Sequence, residues 1–209
     1  MASGSGELRA INLECIRGDR LLFSGLDLQL GAGEILLIEG ANGAGKTSLL
    51  RILAGISQPS EGEVLWGSEG IRSCRSDYHA ELIYLGHAAG LKVELSPVEN
   101  LRVWLKLAGL TVEGQAVRAA LAQMGLAEHV DTPTRALSAG QRQRTSLARL
   151  LLSPARLWIL DEPFTALDAA GIDRIRGLLE AHSRRGGMVV LTSHQSVGLS
   201  GNLRTLMLH

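Results

Sequence analysis

Aromatic side chains are scarce: three Trp, two Tyr and two Phe make up 3% of 209 residues. So few rings argue against a base-stacking surface for nucleic acid. Charge is not in excess either. Lys and Arg total 21, Asp and Glu total 21, and the sequence pI is about 7.0. A balanced chain has no electrostatic drive toward polyanions or anionic lipid. Cysteine is nearly absent: Cys15 and Cys74 stand apart, which excludes a disulfide framework and any Cys-based metal spacing. They read as reduced thiols of a cytoplasmic protein. No apolar run approaches the ~20 residues that cross a bilayer. The opening MASGSGELRA has neither a basic nor an apolar leader region, so no signal peptide is expected there. Any membrane process is expected to be served from the cytoplasmic side.

What is plentiful is glycine, with 25 residues, and aliphatic side chains. That composition suits a sheet-and-helix core with backbone-defined turns. Leu8–Glu14 and Leu26–Leu30 read as strands joined through Gly18-Asp19-Arg20. Glu34–Glu39 (EILLIE) is an apolar run that suits a buried strand, and Lys46–Ala54 a helix stopped at Gly55. Gly62–Trp66 reads as a strand. Val98–Leu107, Glu113–Met124 and Arg142–Leu152 carry helical periodicity. Strand Leu157–Asp161, helix Gly171–His182, strand Met188–Thr192 and strand Leu203–Leu208 complete the pattern. The expected class is α/β: a mostly parallel sheet covered by helices, with an early β appendage and helices inserted over about 88–152. One domain spans 1–209.

Gly40-Ala41-Asn42-Gly43-Ala44-Gly45-Lys46-Thr47 fits G-x-x-x-x-G-K-[ST] between a strand and a helix. Glycines let successive N–H groups turn inward around phosphate oxygens, and the following helix adds its positive end. Lys46 reaches the β- and γ-phosphates in this pattern, the Thr47 hydroxyl serves Mg²⁺, and Ser48 closes the loop. A chance glycine turn would leave Lys46-Thr47 unexplained. Downstream, the aliphatic strand Leu157–Leu160 ends on Asp161, placed to hold the metal at a strand's carboxyl end. Glu162 follows, placed to polarise a water for attack on the γ-phosphate. The expected ligands are ATP and Mg²⁺.

With these motifs in order, the chain resembles the nucleotide-binding subunits of ABC transporters over essentially its whole length. Leu137-Ser138-Ala139-Gly140-Gln141 looks like the family signature. A Ser hydroxyl, a Gly N–H and a helix start form a phosphate cap there. Ser138 as an ordinary helix cap would account for only one residue of the five. By the resemblance, this cap acts on ATP held by a second copy, so a homodimer encloses two nucleotides. Ala166-Leu167-Asp168 matches the D-loop, and His194 the switch histidine at the γ-phosphate. Two positions depart from the family. His87 stands where the Q-loop has Gln, a metal-shell position in the resemblance. Arg17 falls where many relatives stack an aromatic on adenine, a place a guanidinium plane can fill.

His87, Leu65-Trp66 and the run from Leu157 to Asp168 are similar to the ATP-binding subunit of the haem exporter of cytochrome c maturation, the CcmA family. The resemblance implies an ATPase peripheral to the cytoplasmic face of the bacterial inner membrane, working with integral membrane subunits in haem export or haem-chaperone release. No C-x-x-C-H is present, so no direct haem binding is expected, and no direct nucleic-acid binding either. Other readings stay open: an ABC ATPase serving another substrate, or a non-transport ABC protein acting on nucleic acid or ribosomes. The latter usually carries two cassettes or long insertions, and this chain has neither. A non-hydrolysing regulatory module is disfavoured by Asp161, Glu162 and His194.

Overall fold

The computed structural model describes residues 6–194 and 198–209. Its chain separates into two compact units. The first runs through Tyr84 and takes in Ala155–Glu162 and Leu178–His209; the second comprises Leu85–Pro154 and Pro163–Gly177.

The first unit holds two sheets. Strands β1 (Leu8–Arg17) and β2 (Arg20–Leu30) form an antiparallel hairpin closed by Gly18-Asp19. Strand β3 (Ile35–Gly40) follows, and helix α1 (Lys46–Leu53) opens after the phosphate loop. Strand β4 (Glu61–Trp66) pairs antiparallel with β1 and with the short β5 (Glu69–Gly70), giving the order β2-β1-β4-β5. Both hairpin strands are longer than their apolar cores suggest. A two-residue turn puts Arg17 opposite Arg20, so pairing continues through residues whose side chains face water. A sheet covered on one face tolerates that.

Helix α2 (Arg75–Ala80) and strand β6 (Leu82–Leu85) come next. Periodicity does not reveal them, because α2 is only six residues long and buries Tyr78 alone. The Tyr78 hydroxyl donates to Leu53 O at 2.5 Å and ties α2 to the end of α1.

Strands β7 (Leu157–Leu160), β8 (Met188–Thr192) and β9 (Leu203–Leu208) complete a five-stranded sheet in the order β6-β7-β8-β3-β9. The β7–β8, β8–β3 and β3–β9 pairs are all parallel. Every residue of β7 and β8 is buried, which explains why these strands read as unbroken apolar runs rather than alternating ones. Leu49, Leu50, Ile52 and Leu53 of α1 pack into the same core as Leu36, Ile38, Ile159 and Val190. The parallel register brings the carboxyl ends of β3, β7 and β8 out on one edge, where α1 begins.

The second unit is helical. Helix α3 (Pro97–Leu107) starts at a capping box in which Ser96 and Glu99 satisfy each other's backbone N–H. Helix α4 (Gly114–Gln123) follows. Leu101, Leu105, Val117, Leu121 and Leu126 are buried there. Where one helix over 142–152 is expected, the chain forms α5 (Ala139–Leu147) and α6 (Arg149–Leu152). The earlier start follows from the Ser138 cap. At the joint Ala148 keeps helical dihedrals, and an i→i+3 bond from Leu151 N–H to Ala148 O tightens the last turn. Helix α7 (Ala169–Arg184) runs from this unit into the first.

Candidate nucleotide site

The loop between β3 and α1 is fixed by backbone geometry. Gly45 caps α1 with φ of 97°, left-handed and natural for glycine. A Cβ there would also sit 3.1 Å from Leu22. α1 has no side-chain cap at its N-terminus, so its first N–H groups are directed to a ligand or to solvent. Lys46 is buried, and its Nζ donates to Gly40 O at 2.7 Å and Ala41 O at 3.1 Å. An ammonium carries three N–H donors, so one is left for a phosphate oxygen.

The strand ends meet the loop through a chain of bonds. Thr47 Oγ1 donates to Asp161 Oδ2 at 2.8 Å. Thr192 Oγ1, at the end of β8, donates to Asp161 Oδ1 at 2.9 Å and accepts from Glu162 N at 2.9 Å. Glu162 Oε1 lies 2.8 Å from His194 Nε2, with the imidazole N–H donating. Glu162 has φ of 52°, a left-handed conformation that costs a non-glycine residue on the order of 1–3 kcal/mol. Asp161 and Thr192 are buried, whereas His194 is exposed. Tyr84 of β6 is close enough to feel this carboxylate: burial first, and the Asp161 charge second, push its phenol up.

A cleft of about 380 Å³ opens over these groups, lined by Leu22, Asn42, Lys46, Thr47, Glu162 and His194 among others. A larger hollow of about 620 Å³ lies between the end of α1 and β4–β5, walled by Ile52, Pro59, Ile71 and His79. It contains none of the phosphate-loop residues, so its size does not make it the nucleotide site.

Two expected contributors are not among these lining residues. Arg17 is exposed at the end of β1 and does not line the cleft. Its pairing partner Arg20 reaches the loop instead, with a guanidinium nitrogen 3.7 Å from where a Gly43 Cβ would be. His87 is exposed just after β6, in the second unit, and makes no hydrogen bond or ion pair among the described residues.

In the second unit Ser138 caps α5. Its Oγ accepts from Gln141 N at 3.1 Å, and Gln141 Oε1 accepts from Ser138 N at 2.8 Å. Ser138 and Ala139 are exposed, while Leu137 is buried as the anchor. A Cβ on Gly140 would stand 2.5 Å from Ala166 O, so only glycine lets α5 approach Ala166 so closely. Asp168 in turn caps α7, its Oδ1 accepting from Gly171 N at 2.8 Å. Sequence reasoning missed Thr192 and Arg20. A threonine ending an apolar strand was a signal for the first; nothing local marks the second.

A model of the ABC transporter family matches residues 23–165. Among curated proteins, the cytochrome c biogenesis ATP-binding export protein CcmA of Methylococcus capsulatus is 58% identical, covering 96% of this chain and 97% of that protein. Its namesake in Yersinia pestis is 50% identical over 96% and 92%. The chain belongs to the ABC transporter family, in its CcmA branch. Two solved structures share the family fold at low identity. A putative ABC transporter ATP-binding protein from Pyrococcus furiosus superposes with a TM-score of 0.84 at 21% identity, covering 97% and 98% of the two chains. A dimeric ATP-binding cassette in a post-hydrolysis state, bound to ADP and Pi, gives 0.78 at 22% over 90% and 88%. A chain of this family binds ATP. No helix among the described residues is long and apolar enough to cross a membrane.

Proposed function

We propose that this chain is the ATP-hydrolysing subunit of a membrane ABC complex that drives the export step of cytochrome c biogenesis. The CcmA names of its relatives support that assignment. The observation that carries the chemistry is the continuous bonding from Thr47 through Asp161 and Thr192 to Glu162 and His194. It gathers two hydroxyls, two carboxylates and an imidazole at the mouth of a phosphate loop.

The residues fit Mg²⁺. Thr47 and Asp161 offer hard oxygen donors already in contact, and such an ion usually takes few protein ligands beside phosphates and water. Bound there, Mg²⁺ would neutralise charge on the phosphate oxygens. Gly40–Ser48 wraps the phosphates with backbone N–H groups, and the free donor of Lys46 reaches the terminal ones. Glu162 accepts the proton of the attacking water and His194 holds the Glu162 carboxylate in aim. Ser138 to Gln141 then caps the ATP of a second copy, making each site composite, with Ala166–Asp168 at the seam. Neither Arg17 nor His87 is given a role in this reading: the lining of the cleft includes neither side chain. The two units together make up one ATP-binding cassette, peripheral to the cytoplasmic face of the inner membrane.

Glu162→Gln tests the core of this reading. ATP binding should persist, a dimer should accumulate on size exclusion with Mg-ATP, and turnover should fall by at least 10²-fold, the usual worth of a general base. Near-normal turnover would sink the role of Glu162. Purification from native membranes should bring integral membrane proteins with the chain; recovery of the ATPase alone under mild detergent would count against the partner.

A further inference from the structure

We propose that Thr192 is the positioning residue that orders both carboxylates of the site at once, a conclusion that rests on the nucleotide-site reading above. A hydroxyl has one donor and two acceptor positions. Thr192 commits its only donor to Asp161 Oδ1 and one acceptor position to the N–H of Glu162. One oxygen therefore fixes two consecutive residues in different ways. It turns the Asp161 carboxylate so that Oδ2 faces Thr47, and it pins the left-handed peptide that aims Glu162 at His194.

The tertiary frame makes this hydroxyl irreplaceable. Thr192 is fully buried, and in the register of the sheet it stands opposite Ile38 on β3, with β7 on the other side of β8. Solvent does not reach the oxygen to substitute for it. An apolar side chain of the same shape would leave Asp161 Oδ1 and the Glu162 N–H short of a partner. The carboxylate would then rotate away from the metal position, and the strained Glu162 backbone would lose its tether. Binding of the ATP phosphates by Gly40–Ser48 uses neither group and should be spared.

Thr192→Val and Thr192→Ser in the full chain separate this from a merely structural hydroxyl. The probes are Mn²⁺ affinity by electron paramagnetic resonance with a non-hydrolysable ATP analogue, analogue binding in EDTA, and steady-state ATPase kinetics. Expected for Thr192→Val is a fall of roughly 10- to 100-fold in Mn²⁺ affinity and in kcat, the range seen when a ligand's supporting partner is lost. KM for ATP and metal-free analogue binding should stay within about threefold. Thr192→Ser should restore most of both losses. Thr192→Cys, which puts a weakly hydrogen-bonding thiol in place of the hydroxyl, should repeat the Val result if Val does not fold. Wild-type Mn²⁺ affinity and kcat in the folded Val or Cys variant overturn the proposal. So does a loss that Ser shares equally with Val. Asp161→Asn is the control for the parent reading. If it keeps wild-type Mn²⁺ affinity, the metal site itself is misplaced; if it loses affinity and Thr192→Val does not, Thr192 alone is overturned.

Discussion

The strand-end cluster and the signature stretch both serve the phosphate end of ATP in this reading, yet they are built on opposite principles. Around Asp161 the bonds join residues 31 and 114 positions apart in the chain. They converge on the buried Asp161 and Thr192, so each of those two side chains is held by two other groups. Around Ser138 the two bonds span three residues and sit at an exposed helix start. The first is a preorganised interior that works only when three strands and a loop are in register. The second is a surface carried by one helix, complete as soon as α5 forms. A centre that must place a proton acceptor and a metal ligand needs the first kind of rigidity. A cap that engages another chain's nucleotide needs to be presented.

The comparison breaks most visibly at the phosphate loop. Lys46→Ala removes a charge-assisted donor, worth roughly 1.5–3 kcal/mol, so ATP affinity should fall by about 10- to 100-fold in equilibrium binding. Unchanged affinity would mean that the ammonium serves only the loop carbonyls. Ser138→Ala probes the other side. Loss of the cap should cost about 1 kcal/mol in denaturant melts. ATP binding to the single chain should be unchanged, while dimer-dependent hydrolysis falls. If single-chain binding fell as well, the signature would belong to the same chain's site and the contrast would collapse.

A smaller effect comes from the frame beneath β7. His182 stacks on Trp158 with ring centroids 3.6 Å apart, and its Nε2 meets Arg156 O at 3.0 Å. Burial is the main cause pushing its pKa below the ordinary value of 6.5. A group more basic unfolded than folded takes up a proton on unfolding, so its contribution is present above about 6.5 and lost as pH falls below it. The melting temperature should drop between pH 7.5 and 5, and His182→Phe should flatten part of that slope. The smallest effect is expected at His87. It is exposed and without a bond among the described residues, so His87→Gln should change turnover of the isolated chain by less than about threefold, the scale of a weak surface contact. A tenfold change would place the imidazole in the reaction.

Much of the fold was legible because local chemistry and tertiary role coincide. Ile35–Ile38, Leu157–Leu160 and Met188–Leu191 are apolar on every position and read as interior strands. Ser96, Ser138 and Asp168 cap their helices, which is why these start at Pro97, Ala139 and Ala169, ahead of the expected Val98, Arg142 and Gly171. The hairpin was underestimated because hydrogen bonding, not side-chain hydrophobicity, carries pairing out to Arg17 and Arg20. α2 was invisible because its one burial contact, Tyr78 on Leu53, is not periodic. Within the site, the motif residues were readable one at a time, whereas Arg20 and Thr192 were not. Each stands beside residues far away in the chain, Arg20 near Gly43 and Thr192 bonded to Asp161 and Glu162.

By itself the sequence determined the class of ligand, the order of the motifs and the family. Those depend on which atoms a short segment can offer: N–H groups in a glycine loop, a carboxylate after an apolar strand, a hydroxyl before a helix. The tertiary structure decided which hydroxyl steers which carboxylate, which arginine leans over the loop, and that His194 meets Glu162. Such pairings depend on strand register, which is set by the packing of whole buried faces rather than by any residue in the pair.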